Sequence, residues 1–106
     1  MSITLLLKGT YMLNKLPQLS ETLVLNSVNP TENIEYINSY IDKNSCENMN
    51  IDISFMNVID ACYVSTLCAT KHFTKYPKGR INWKISSELV REFNKDLELG
   101  NSNYIL

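Results

Sequence analysis

Two short segments of this chain alternate apolar and polar residues with a period of two. They run Met49-Asn50-Ile51-Asp52-Ile53-Ser54-Phe55 and Arg80-Ile81-Asn82-Trp83-Lys84-Ile85-Ser86. In extended chain that alternation sends Ile51, Ile53 and Phe55, or Ile81, Trp83 and Ile85, to one face. Asn50, Asp52 and Ser54, or Asn82, Lys84 and Ser86, go to the other. A sheet covered by helices on both faces would show continuous apolar runs instead. The pattern therefore demands a sheet with one dry face and one largely wet face, and with helices on the dry side alone.

The intervening segments read as helices. Asn29 is placed to cap the first, with Pro30 at its first position and Glu32 three residues after the cap. Ile34, Ile37 and Ile41 then share one face. After the 49–55 strand, the link Met56–Ile59 leads to Asp60, read as the cap of a helix running to about Lys75. Tyr76-Pro77-Lys78-Gly79 is a turn signal. Ser86 or Ser87 caps a last helix with Leu89, Val90, Phe93 and Leu97 on its core side and Gly100 as its C′ residue. Asn101–Leu106 can add a short edge strand.

Residues 3–8 and 22–28 also read as strands, joined as a hairpin through the irregular stretch Gly9–Ser20. The order is β-β-α-β-α-β-α, with right-handed crossovers making neighbouring strands parallel. The expected fold is an α/β two-layer sandwich, a mixed sheet of four to five strands with helices on one face. At 106 residues the chain makes a single domain.

Charge and composition exclude several functions. A net charge of −1 with no Lys/Arg run offers nothing to track a nucleic-acid backbone. The start Met1–Lys8 lacks the marks of a signal peptide, and no segment has the ~18 apolar residues needed to cross a bilayer. Three cysteines, Cys46, Cys62 and Cys68, are an odd number without metal-like spacing. They read as reduced thiols, which places the protein in a cytoplasm.

Few residues carry chemistry. Cys62, near a helix N-terminus, could have an activated thiol, although Asp60 opposes a thiolate and Cys is often simply buried. The only histidine, His72, is ten residues further along the same helix, about 15 Å away and out of reach as a base. Cys68 and His72 at i,i+4 lack a third metal ligand. Asp52 and Asp60 could pair, but each has a structural reading, on the wet face and as a cap. Gly9, Gly79 and Gly100 are isolated and make no phosphate loop. No enzyme equipment and no cofactor site is visible.

The second helix has apolar residues on two sides: Ala61, Val64, Leu67 and Cys68 on one, Cys62, Ala69 and Phe73 with Thr66 on the other. Either it is wedged between sheet and neighbours, or the second side receives a partner.

The stretch IDISFMNVIDACYVSTL resembles the STAS domain, the fold of bacterial anti-anti-sigma factors and of many regulatory modules. It is similar to that family's strand with an internal Asp, short link, Ile-Asp, Ser/Thr pair, Gly and apolar helix. INWKISSELVREFNKDLELG resembles its strand, Ser-rich turn, helix and terminal Gly. The likeness covers about residues 20–106; residues 1–20 match poorly. It implies a non-enzymatic regulatory domain that binds a protein partner, an anti-sigma factor or a kinase-like regulator, through this helix start. Asp52 and Asp60 take the positions of the two Asp residues, Ala61 and Cys62 those of the Ser/Thr pair, and Tyr63 that of the Gly. The implied surface is Asp60, Ala61, Cys62, Tyr63, Ser65, Thr66, Ala69 and Phe73. With Cys62 where the phospho-acceptor would stand, binding without the usual phosphorylation switch is expected. A thiol-based redox sensor centred on Cys62, or a small-ligand site at the strand ends, is the alternative, and a homodimer is left open.

Overall fold

In a computed structural model of the chain, residues 22–96 and 100–106 are described. Their order is β1 (Thr22–Leu23), α1 (Pro30–Lys43), β2 (Asn48–Asp52), α2 (Val58–Lys75), β3 (Arg80–Lys84), α3 (Glu88–Asn94) and β4 (Ser102–Ile105). The four strands form one sheet in the order β1-β2-β3-β4, and every neighbouring pair is parallel. The architecture of the described residues is α/β, with a four-stranded parallel sheet and three helices. The expectation of a mixed sheet rests on a hairpin of residues 3–8 with 22–28. The described strands are all parallel, and 3–8 lies outside the described residues.

Sequential strand order has a physical consequence. Crossovers of one hand that always step the same way along a sheet leave their helices on the same face. Burial follows that rule. Met49, Ile51, Ile53, Ile81, Trp83, Ile85 and Tyr104 are buried, together with Ile34, Ile37 and Ile41 of α1 and Ala61, Val64 and Cys68 of α2. Trp83 lies at the centre, and its indole N–H donates to Ser102 Oγ at 3.2 Å, so the largest core side chain leaves no polar atom unpaired.

The opposite face is finished by side-chain amides. Asn50, Asn82 and Asn103 stand in register on β2, β3 and β4. Asn82 Nδ2 donates to Asn50 Oδ1 at 2.8 Å, and Asn103 Nδ2 donates to Asn82 Oδ1 at 2.9 Å. This ladder gives a parallel sheet a hydrogen-bonded polar surface where a second helical layer is usual.

Local capping follows the sequence at α1. Asn29 Oδ1 accepts from Thr31 N (2.9 Å) and Glu32 N (3.2 Å), with Pro30 at the first position. Glu32 does not reach the cap directly; it accepts from Ser27 Oγ at 2.6 Å, and that oxygen accepts from Asn29 N at 2.9 Å. At the other end Lys75 Nζ donates to the Ile41 and Asp42 carbonyls, tying α2 to the open end of α1.

Several expected boundaries move. The strand expected over 22–28 pairs only at Thr22 and Leu23, because β2 ends at Asp52, where the Asp52 carboxylate accepts from Ser54 N and Ser54 Oγ and turns the chain. Phe55, expected on the dry face with Ile51 and Ile53, lies past that turn and is exposed. Asp60 is not the cap of α2: Asn57 is, and the helix starts three residues earlier than expected. In α3, Ser87 caps as expected and Val90 is buried, but Leu89 and Phe93 point outward and Asn94 takes the inner place. Leu97 lies outside the described residues. Gly100 adopts φ 85°, a conformation that favours glycine, in the turn before β4 and not as the C′ of α3, whose C-cap is Lys95. Gly79 is required for space: a Cβ there would sit 2.3 Å from Glu47 O and 2.8 Å from His72 Cε1.

Candidate docking surface

The start of α2 is set by a reciprocal cap. Asn57 Oδ1 accepts from Asp60 N at 2.8 Å, and Asn57 Nδ2 donates to Asp60 Oδ2 at 3.3 Å. Starting the helix at Val58 has two effects. Cys62 is carried more than a full turn inside, away from the unpaired N–H groups that would favour a thiolate. Ile59 becomes part of the helix, not of a link. Burial pushes the Cys62 thiol up from its ordinary range. Its sulfur lies 3.9 Å from the Val90 carbonyl, in the seam between α2 and α3.

The other candidate chemistry is taken up by structure. His72 is buried, with Nε2 2.8 Å from the Cys46 carbonyl; because a carbonyl only accepts, Nε2 carries the hydrogen. Its Nδ1 then faces Asn101 Nδ2 at 3.4 Å, and its ring packs on Tyr76 at 5.3 Å. His72 therefore clamps the Cys46 loop to α2 and to the start of β4. Cys68 is wholly buried, its thiol pushed up to about 12 by desolvation. Asp52 binds Ser54 and Asp60 binds Asn57, so each carboxylate serves its own loop. Hydrogen bonds from the Ser54 hydroxyl and N–H hold Asp52 below the usual carboxylate range. Among the described residues no group of three His, Cys, Asp or Glu side chains could hold a metal ion, and no helix is long and apolar enough to cross a membrane.

The eight residues expected at a partner surface separate by burial into three sets. Ala61, Ser65 and Ala69 are buried. Ser65 Oγ donates to the Ala61 carbonyl at 2.7 Å, the i−4 bond a hydroxyl inside a helix commonly makes. Phe73, Asp60 and Cys62 are partly buried. Thr66 Oγ1 donates to Asn94 Oδ1 at 3.3 Å. Tyr63 is exposed.

Around Tyr63 the structure places Ile59, expected in a link, and Leu67, Leu89 and Phe93, expected on the core sides of their helices. Ile59 (72% exposed), Tyr63 (49%) and Leu67 (42%) form a row at i, i+4 and i+8 along α2. Leu89 (53%) and Phe93 (61%) of α3 also point outward. Ile59, Cys62, Tyr63, Thr66, Leu67, Phe93 and Asn94 line a shallow groove of about 370 Å³. Its floor is held rigid by a buried polar knot. Asn94 Nδ2 donates to Ser65 Oγ (2.8 Å) and to Tyr104 OH (2.9 Å), fixing α3 to α2 and β4 at once. Ile59–Tyr63–Leu67 is a legible i,i+4 pattern once Ile59 belongs to the helix; with Ile59 in a link the pattern is cut.

A second hollow of about 530 Å³ lies at the ladder face and the β1 edge, lined by Thr22, Val24, Asn50, Asp52, Phe55, Asn82, Lys84 and Ile105 among others. It brings the Asp52 carboxylate and the Lys84 ammonium beside the amides of Asn50 and Asn82.

Scans of family models, curated proteins and solved structures return no match for this chain.

Proposed function

We propose that this chain is a non-enzymatic, STAS-like docking domain, a two-layer α/β sandwich of the cytoplasm that works by protein–protein contact through the α2–α3 face. The observation that carries the reading is the cluster of five large apolar side chains turned outward on two adjacent helices, Ile59, Tyr63, Leu67, Leu89 and Phe93. Single exposed apolar residues are ordinary, whereas a contiguous group beside a groove is what partner surfaces look like. Aromatic anchors at its centre suit such a surface. The state of the candidate chemical groups supports the same reading: the thiols are raised or buried, and the histidine is engaged with the backbone. Docking in this domain proceeds without the phosphorylation switch of the resembled family, since Ala61 is buried and apolar and Cys62 has no hydroxyl.

The test is a pair of variants, Leu67→Asp and Phe93→Asp, in affinity capture from the native source. Both keep the far-UV spectrum and thermal midpoint of the parent, because neither residue is core, and both lose the captured partner. Unfolding of both variants, or capture unchanged in both, contradicts the proposal.

A further inference from the structure

We infer that the hollow at the C-terminal ends of β2 and β3 is a binding site for a free α-amino acid with an apolar side chain. The ladder face is built in rows across the strands. In one row Asn50, Asn82 and Asn103 stand in register and bond one another, so the sheet itself engages these amides. The next row is Asp52, Lys84 and Ile105, again in register, and it is not closed in this way. Both bonds that Asp52 accepts from Ser54 fall on Oδ1, which leaves Oδ2 for another donor. Among the described residues the Lys84 ammonium has neither a hydrogen bond nor an ion pair, although a carboxylate stands on the neighbouring strand.

A carboxylate and an ammonium side by side, on strands about 4.8 Å apart, complement a ligand that carries the opposite pair at short range. The ammonium and carboxylate of an α-amino acid are joined through one carbon, so a single molecule answers both. A simple carboxylate or a primary amine leaves one of the two charges unanswered. The walls select the side chain. Val24, Phe55 and Ile105 are exposed apolar residues, and all three line the hollow beside the charges. Its volume of about 530 Å³ is that of a small-molecule site, and the C-terminal edge of a parallel sheet is where such sites are usual. The site lies on the face opposite α2 and α3, so it is independent of the docking reading.

Nuclear magnetic resonance titration of the isotope-labelled full chain with L-leucine tests this, up to about 10 mM for a ligand of so few atoms. Saturable shifts are expected at the backbone amides of Ser54, Phe55 and Ile105. Asp52→Asn and Lys84→Met each weaken binding at least tenfold, and Leu67→Asp on α2 leaves it unchanged. Isocaproate, which lacks the ammonium, and isopentylamine, which lacks the carboxylate, each bind at least tenfold more weakly than leucine. The absence of saturable shifts with both L-leucine and L-phenylalanine overturns the inference. So does a single-charge analogue that binds as tightly as leucine, or leucine binding that survives Lys84→Met.

Discussion

Asn57 and Asp60 divide the start of α2 between them, and the division decides what Cys62 can do. Asn57 is the cap, so Asn57→Ala costs about 1 kcal/mol of stability in urea unfolding, whereas Asp60→Ala costs less than half of that. With the helix starting at Val58, Cys62 lies inside the seam with α3, and its thiol is raised by burial. Alkylation of Cys62 followed against pH therefore has a midpoint above the ordinary thiol value of about 8.5; a midpoint below it contradicts the assignment. Gly79 is the other residue with a sharp consequence. Gly79→Ala pushes a methyl group into the Glu47 carbonyl and His72, and costs about 1–3 kcal/mol in the same measurement. Asp52 sets a pH dependence. Its folded-state value is depressed, so its contribution is complete above the unfolded value of about 3.9 and is lost as pH falls through the lower folded one. Asp52→Asn flattens the stability profile below about pH 4. At neutral pH it costs at most about 1 kcal/mol by urea midpoints, because solvent screens a carboxylate this open.

At the scale of elements, legibility depends on whether a residue's neighbours in sequence are also its neighbours in space. The cap and stripe of α1 and the alternation of β3, and of β2 as far as Ile53, are local patterns, and the structure keeps them. The faces of α2 and α3 are not local in this sense. Leu67 reads as core because it follows Val64, and Leu89 and Phe93 read as core because they frame Val90. Yet the inner places are taken by Ser65 and Asn94, polar residues that a hydrophobic pattern cannot select. They are buried because each meets the other and Tyr104, a pairing that brings residues of α2, α3 and β4 together. Asn94→Ala leaves Tyr104 OH and Thr66 short of a partner and costs about 1–3 kcal/mol in urea unfolding; Asn94→Leu also loosens α3. With Asn94 in the inner place Leu89 and Phe93 turn outward, so the exposed α2–α3 surface goes with the polar knot beneath it. The edge strand β4 is legible as a strand, but not its protection. The Arg91 guanidinium donates to the outward Tyr104 carbonyl, which leaves less of that edge for another strand to pair with.

For the whole molecule, one-sidedness is the property that organises the rest. Alternation in two strands implies one dry face, and sequential strand order with burial on that face agrees with it. The asparagine ladder finishes the wet face with side-chain hydrogen bonds. On the helical side Ile59, Tyr63, Leu67, Leu89 and Phe93 of α2 and α3 turn outward, as do Tyr36 and Tyr40 of α1, and the α2–α3 surface is the working part of the domain in the proposed function. Site-specific photocrosslinking in cells that make the protein tests this most directly, with the crosslinking residue placed at Leu67, at Phe93 or at Asn82 on the ladder face. Protein adducts are expected from positions 67 and 93 and none from position 82. Adducts from position 82 alone would contradict the assignment of the working surface to α2 and α3.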